Sequence, residues 1–278
     1  MGSAFFYLYF INESCQTLSC HLEVLFGLTE GILFQYIQIT TEQIPETGYF
    51  IFWIGGLSME LLEGIKTRKS TRAFKPDPIP REVIEKILEA VSNSPSYTNT
   101  QPWEVVVVSG QKKNELSKVM IELLRTKAPT SSDLPKPKDW PPALEKRASE
   151  HGARRISTLG VSRDDQGGRE RLSQMNFEFY GAPCAILLFM DGLLGEWSIF
   201  DMGLFAQNLI LAAHSLGVGS CLQASVPGYS REIKNILGIA ESKKLIICIS
   251  MGYPDEKAEL NTYRSIKQKL DEFTKWIE

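Results

Sequence analysis

Three short apolar runs, widely separated, limit what this chain can fold into. Glu104-Val105-Val106-Val107-Val108 is β-branched, residues 185–190 read AILLFM, and residues 245–250 read LIICIS. Runs this short and this apolar predict buried strands. Between them the pattern turns helical. Leu61, Leu62 and Ile65 start a short amphipathic helix after Met59, and Val83, Ile84, Ile87, Leu88 and Val91 follow a 3.6-residue period. Residues 112–125 read as a further helix, and 220–223 as a short strand. Helices and strands alternate too irregularly for a doubly wound sheet. The fold class expected is α+β, a central sheet flanked by helices.

Local punctuation sharpens this outline. Pro76, Pro78 and Pro80 make an extended linker, with Pro80 suited to the first turn of the next helix. Ser92-Asn93-Ser94-Pro95 stops that helix. Residues 197–216 predict a long helix, apolar on nearly every side and closed by Gly217. A helix of that kind belongs in a core or, as read here, at a subunit interface. Residues 126–168 are rich in Pro, Gly and charge, and read as a lid-like insertion, with disorder as the alternative. The tail from Asn261 is polar and basic until a final stripe of Leu270, Phe273 and Trp276.

Charge divides the chain unevenly. Residues 1–58 hold no Lys or Arg and five acids, Glu13, Glu23, Glu30, Glu42 and Glu46, so this leader is −5. The other 28 of the 33 acids and all 30 bases leave residues 59–278 at +2. The leader lacks the positive start of a signal peptide, and acids break its apolar runs before the roughly 18 residues a span needs. One expectation is that translation starts at Met59, with Gly55-Gly56 marking an upstream misread. The alternative is a genuine partner-binding or membrane-associating extension. A net charge of −3 with no long basic tract gives no reason to expect nucleic acid. Cys15, Cys20, Cys184, Cys221 and Cys248 form no C-x-x-C pair, so neither a disulfide framework nor a zinc site is indicated. Cys184 and Cys248 lie in apolar runs and read as buried thiols in a reducing, cytoplasmic compartment.

The chemistry points to a bound cofactor. Arg68-Lys69-Ser70-Thr71-Arg72-Ala73-Phe74 sets three cations and two hydroxyls within five residues, the donor set that holds a phosphate. Its plain alternative is a solvated charge run at a helix end. The three histidines, His21, His151 and His214, are isolated in sequence, and His214 sits in the apolar helix as a core or interface residue. No H-E-x-x-H, G-x-S-x-G or G-x-x-x-x-G-K-[ST] occurs. Gly217-Val218-Gly219 follows a helix and precedes a strand, the reverse of a dinucleotide fingerprint. Phosphate-gripping cations with few acid–base groups suit a cofactor that carries the reaction itself.

From Met59 onward the chain resembles the FMN-dependent nitroreductase family. Four segments carry the resemblance in order: residues 68–74; Ser94-Pro95-Ser96-Tyr97-Thr98-Asn99-Thr100-Gln101-Pro102-Trp103; Phe179-Tyr180-Gly181-Ala182-Pro183; and Met251-Gly252-Tyr253-Pro254-Asp255 with Asn261, Arg264 and Lys267. The segment Gly160-Val161-Ser162-Arg163-Asp164-Asp165 is most similar to the nitrobenzoate reductase branch. Residues 1–58 have no counterpart in the family.

The resemblance implies an α+β homodimer, with a mixed central sheet and FMN at the subunit interface. By the same resemblance Arg68, Lys69, Ser70, Arg264 and Lys267 hold the FMN phosphate. Lys267 stands where relatives often carry Arg, which keeps the charge and loses the bidentate fork. Arg72 sits at the flavin N1/O2 edge, where a cation favours reduction. Pro95, Ser96, Tyr97 and Asn99 approach the ring from the partner subunit, Asn176 meets its pyrimidine edge, and Gln223, Ala224 and Ser225 form the loop by N5. No side chain is implied as catalytic, and no metal. The activity implied is ping-pong hydride transfer from NADH or NADPH to nitroaromatic or related acceptors. A flavin store or sensor without turnover is one alternative, and an FMN enzyme of another reaction type is the other. Asn99 to Trp103 also reads as a simple turn with Trp103 as a core plug, and Arg264 and Lys267 as solvated tail charges.

Overall fold

The computed structural model describes residues 59–162 and 164–278, together with the dipeptides Gly27–Leu28 and Gly31–Ile32. Those dipeptides, β1 and β2, pair antiparallel, Gly27 with Ile32 and Leu28 with Gly31. The remaining expectations about the leader, and Arg163, lie outside the described residues.

From Ser58 onward the chain is organised on a four-stranded sheet. Its strands are β3 (Glu104–Ser109), β4 (Cys184–Asp191), β5 (Gly219–Gln223) and β6 (Lys243–Gly252), in the order β3-β4-β6-β5. All three pairings are antiparallel. Among the described residues the one parallel contact is an isolated bridge, Ser70 to Ser220, so the mixed character of the sheet resides there.

Helices cover both faces. On one side lie α2 (Arg81–Val91) and α6 (Glu196–Ser215); on the other lie α3 (Gly110–Arg125), α5 (Gln166–Phe177) and α7 (Ser230–Leu237). Strand alternation divides β4 between them: Ile186, Leu188 and Met190 join the α2/α6 core, while Ala185, Leu187 and Phe189 join the opposite one. A central strand with no solvent face has no place for a polar residue, which is why AILLFM shows no alternation. Each such side chain contributes about 1.5–3 kcal/mol through burial. A bulge at Leu188/Phe189 keeps Leu187 opposite Cys248 and Phe189 opposite Leu245.

The strand at 104–108 departs from expectation. It lies on the sheet edge with β4 as its only neighbour among the described strands, so Val108 is buried while Val107 is 40% exposed. β-branching shows that a segment is a strand and says nothing of its rank in the sheet. Pro80 takes the N-cap rather than the first turn of α2. Three helices escaped the sequence reading, one of them inside the lid-like insertion. Glycines mask α5, which the Asp165 carboxylate caps by accepting from Gly168 N at 2.8 Å. α7 is only eight residues long.

The insertion contains α4 (Pro142–Thr158), none of whose residues is buried. The stretch before it is pinned by Asp133, which accepts from the Lys234 ammonium at 3.2 Å and Leu245 N at 2.8 Å, and from the Ser230 hydroxyl. Leu270, Phe273 and Trp276 are exposed, around a single turn at Leu270–Glu272. Cys184, Cys221 and Cys248 are free and buried. Burial pushes the Cys184 thiol up to about 11, and raises Cys248 further. No helix among the described residues is long and apolar enough to cross a membrane.

Candidate functional site

The basic segment follows the short helix α1 (Leu61–Thr67) and is stitched along the far edge of the sheet. Thr71, itself buried, donates its N–H to Ser220 O at 2.9 Å, and Phe74 bridges Pro254. Asp255 N donates to Ala73 O at 3.1 Å and Lys75 N to Tyr253 O at 2.8 Å. The side chain that fixes this arrangement is Asn261, 2% exposed. Its Oδ1 accepts from Arg72 N at 2.7 Å, and its Nδ2 donates to Ala73 O and Asp255 O at 2.8 Å each. Asn261 stood in the closing motif but was not among the expected site residues. A carboxamide can serve both a donor and two acceptors of passing backbone, and few side chains can.

The expected phosphate-binding cations are mostly brought together. Arg264 Nη1 donates to Thr67 O at 2.6 Å, next to Arg68. Lys69 Nζ reaches Asn261 O at 2.9 Å and Glu256 at 3.3 Å. Arg72, Ser70 and Arg68 are each near enough to the Cys221 thiol to favour its ionisation, against a larger effect of burial. Burial, and then Arg264, lower the Arg68 pKa, so this charge sits partly out of water with another cation beside it. Lys267 is exposed and lies near enough to His151 to act on its ionisation. Arg72 is half-buried, its Nη1 3.4 Å from Ser70 O, and its Nε is buried with no hydrogen-bond partner among the described residues. A buried guanidinium N–H costs free energy until an acceptor meets it.

The pyrimidine-edge and N5-loop candidates are held by one another. Tyr180 OH donates to Asn176 Oδ1 at 2.7 Å, and Gln223 Nε2 donates to Asn176 O at 2.6 Å. Gln223 is buried, its Oε1 accepting from the Ser250 hydroxyl, whereas Ala224 and Ser225 are exposed.

The 94–103 loop is elsewhere. Its anchor is Asp201, buried on α6, whose two carboxylate oxygens each accept from Tyr97 N at 3.1 Å. Asn208 Nδ2 donates to Ser94 Oγ at 2.9 Å, Ser96 Oγ accepts from Gln101 N at 3.0 Å, and Tyr97 stacks on Trp197 with centroids 5.6 Å apart. Trp103 is half-buried and stacked on Phe205 at 4.7 Å, as a core plug would be. Thr98, Asn99 and Gln101 all take positive φ, at 48°, 58° and 48°. Asn tolerates that region, whereas a β-branched Thr is strained there. Pro95, Tyr97 and Asn99 face solvent, and Ser96 is half-buried.

The residue just before the basic segment meets the opposite end of the same helix, where His214 Nε2 lies 2.9 Å from Thr67 Oγ1. From residue 201 to residue 214 a helix rises about 20 Å. One chain therefore carries the two halves of the expected site at opposite ends of α6. Asp201 was also missed, although a carboxylate within a largely apolar helix was a signal for it.

Known proteins share this architecture. The nitroreductase family profile matches residues 65–253. The chain is 32% identical over 214 residues to a 4-nitrobenzoate reductase of Pseudomonas putida, covering 77% of this chain and 93% of that one. It matches the crystal structure of the FMN-dependent nitroreductase NfnB from Mycobacterium smegmatis in complex with NADPH, with a TM-score of 0.75 and 32% identity over 78% of this chain and 97% of that one. An FMN- and NADPH-dependent nitroreductase NfnB from a Sphigopyxis strain gives a TM-score of 0.76 at 26% identity, over 79% and 100% of the two chains.

Proposed function

The chain belongs to the nitroreductase family, and we propose that it is an FMN-dependent NAD(P)H oxidoreductase that reduces nitroaromatic or related acceptors. The observation that carries the assignment of FMN to this chain's residues is the buried Nε of Arg72, unpartnered among the described residues, on a side chain that meets Ser70 O, with Arg264 acting on Arg68 a few residues before it. A phosphate fits the Arg68, Lys69, Ser70 and Arg264 donors, and an electron-rich ring edge fits Arg72. Lys267 adds charge from the tail without a bidentate fork. FMN, when bound, would supply the hydride-transfer chemistry between a nicotinamide and an acceptor. The protein's part is positional. Asn261 holds the Arg72 backbone, Gln223 and Tyr180 hold Asn176, and the half-covered guanidinium of Arg72 stabilises negative charge in a partly dry site.

The working unit of this reading is a homodimer. Two ends of one helix about 20 Å apart cannot serve one ring, but a second copy related by a two-fold axis supplies Pro95, Ser96, Tyr97 and Asn99 to the first copy's basic segment. The face of α6 turned from the sheet supports this: Trp197 is 66% and Phe200 60% exposed, as are the apolar residues of the tail. Such a patch calls for a partner. The buried free thiols suit a cytoplasmic setting.

The purified protein should be yellow, and excess NADH or NADPH should bleach it under anaerobic conditions, with a nitroaromatic restoring the colour. A colourless protein that takes up no added FMN sinks the reading. Sedimentation should give twice the chain mass.

A further inference from the structure

α1 brings the chain to Arg68 from a weak hold. Among the described residues none of α1 joins either apolar core; its one buried residue is Gly64, and Leu61, Leu62 and Ile65 are exposed. At seven residues it is also too short to stand on its own propensity. Apolar packing within the chain therefore does not fix where α1 ends. The place of Arg68 depends on polar contacts at that end.

Those contacts converge on Thr67, the last residue of α1. Its hydroxyl lies 2.7 Å from Glu63 O and 2.9 Å from His214 Nε2. A carbonyl only accepts, so the single hydroxyl proton goes to Glu63 O, and Nε2 carries the proton of the second bond. Burial first, then Arg68 and Arg264, lower the His214 pKa. The imidazole thus donates at neutral pH without adding a third charge to the two guanidiniums. The Thr67 carbonyl, left over at a helix C-terminus, accepts from Arg264 Nη1 at 2.6 Å. One residue takes a bond from α6 on its side chain and one from the tail on its backbone, and the next residue is Arg68.

His214 has the firmer footing. It is half-buried on the last turn of α6, next to Ala213 and one turn after Ile210, both of which belong to the core. Its carbonyl accepts from N–H of Gly217, the residue that closes the helix, at 3.0 Å. A side chain on a rigid element fixes what it touches more closely than a loop can.

We propose that His214 is a positioning residue for the phosphate end of the site: it fixes Thr67, and Thr67 holds Arg264 against the peptide that leads into Arg68. The proposal rests on the FMN reading above. His214 acts through Thr67 and not on the ligand itself.

The test compares FMN with riboflavin, which lacks the phosphate, by titrating the full-length protein freed of flavin and following the quenching of flavin fluorescence. His214→Ala should weaken FMN about five- to tenfold and leave riboflavin within twofold. Thr67→Val should do the same. His214→Gln, whose Nε2 stands in for the imidazole donor, should bind FMN within twofold of the wild type. Combining His214→Ala with Arg264→Ala should weaken FMN by less than the product of the separate effects, because both remove one shared contact. If His214→Ala does not fold, Thr67→Val and His214→Gln decide by the same criteria; if riboflavin binds too weakly to measure, the Arg264 combination decides. FMN-binding wild type whose His214→Ala variant is unaffected overturns the positioning role alone. So does equal weakening of both flavins, a glutamine that restores nothing, or a fully multiplicative double variant. Wild type that takes up no FMN overturns the function and the positioning role together.

Discussion

Replacing Asn261 with Ala should loosen the site from behind without touching a ligand. Its carboxamide makes three hydrogen bonds at 2.7–2.8 Å to backbone groups of Arg72, Ala73 and Asp255. Two of these groups have a second partner: Ala73 O also accepts from Asp255 N, and Asp255 O from Ala258 N. Arg72 N has none among the described residues and becomes a buried orphan. One unsatisfied donor costs about 1–3 kcal/mol and each lost bond to a satisfied carbonyl about 0.5–1.5 kcal/mol, so Asn261→Ala should cost about 2–6 kcal/mol where the whole domain reports it. At roughly 2–4 °C per kcal/mol for a domain of this size, the melting temperature should fall by about 4–24 °C. If the segment opens locally instead, hydrogen exchange at Arg72 and Ala73 should accelerate while the melting point moves less. In either case FMN affinity should drop by about tenfold or more, because Arg72 and its neighbours lose their shared position. Asn261→Asp keeps the acceptor for Arg72 N but faces two carbonyls with a carboxylate, and should be no better. An Asn261→Ala protein with wild-type melting, exchange and FMN affinity would refute the assignment of Asn261 as the brace of the site.

Three further outcomes follow from the same structure. Arg68→Ala should lose FMN, whereas Arg72→Ala should retain it yet be reduced slowly by nicotinamide in stopped-flow absorbance; identical behaviour of the two removes the division between phosphate and ring. Thr98→Asn should raise stability by about 0.5–1 kcal/mol in urea denaturation, since a β-branched residue at φ 48° is strained and Asn is not; a destabilised variant contradicts that strain. His151 and His214 both have pKa values lowered from 6.5, each by burial first and then by neighbouring arginines. The folded protein thus resists protonation that the unfolded chain accepts. Stability should therefore be intact above pH ~6.5 and decline as pH falls from there through the lowered folded-state values. His151→Gln with His214→Gln should flatten that decline in pH-dependent melting of the apoprotein, and an unchanged slope counts against it.

Much of this protein could be read locally. Branched apolar runs mark β3, β4 and β6, a 3.6-residue period marks α2, and Gly217, at φ 73°, closes α6 as its sequence requires. The cations of residues 68–72 and their tail partner Arg264 were also legible, because crowded donors signal an anion wherever the chain places them. Elements without a clean pattern were not. α5 depends on a single Asp165 cap, and α7 is too short to show a convincing period.

Other features exist only once the chain is folded. That β3 lies at an edge, with Val107 exposed, follows from the strand order β3-β4-β6-β5, which no stretch of sequence carries. That Asn261 clasps Arg72 and Ala73, nearly 190 positions away in the chain, depends on three backbone strands meeting at one carboxamide. That the loop at 94–103 and the segment at 68–74 stand at opposite ends of α6 is a distance, and distances between remote residues come from packing. Sequence determined which groups could hold a cofactor, because residue chemistry and periodicity are local properties. Tertiary structure decided which of them face one another within a single chain, because that depends on where a buried helix of fixed rise leaves its two ends.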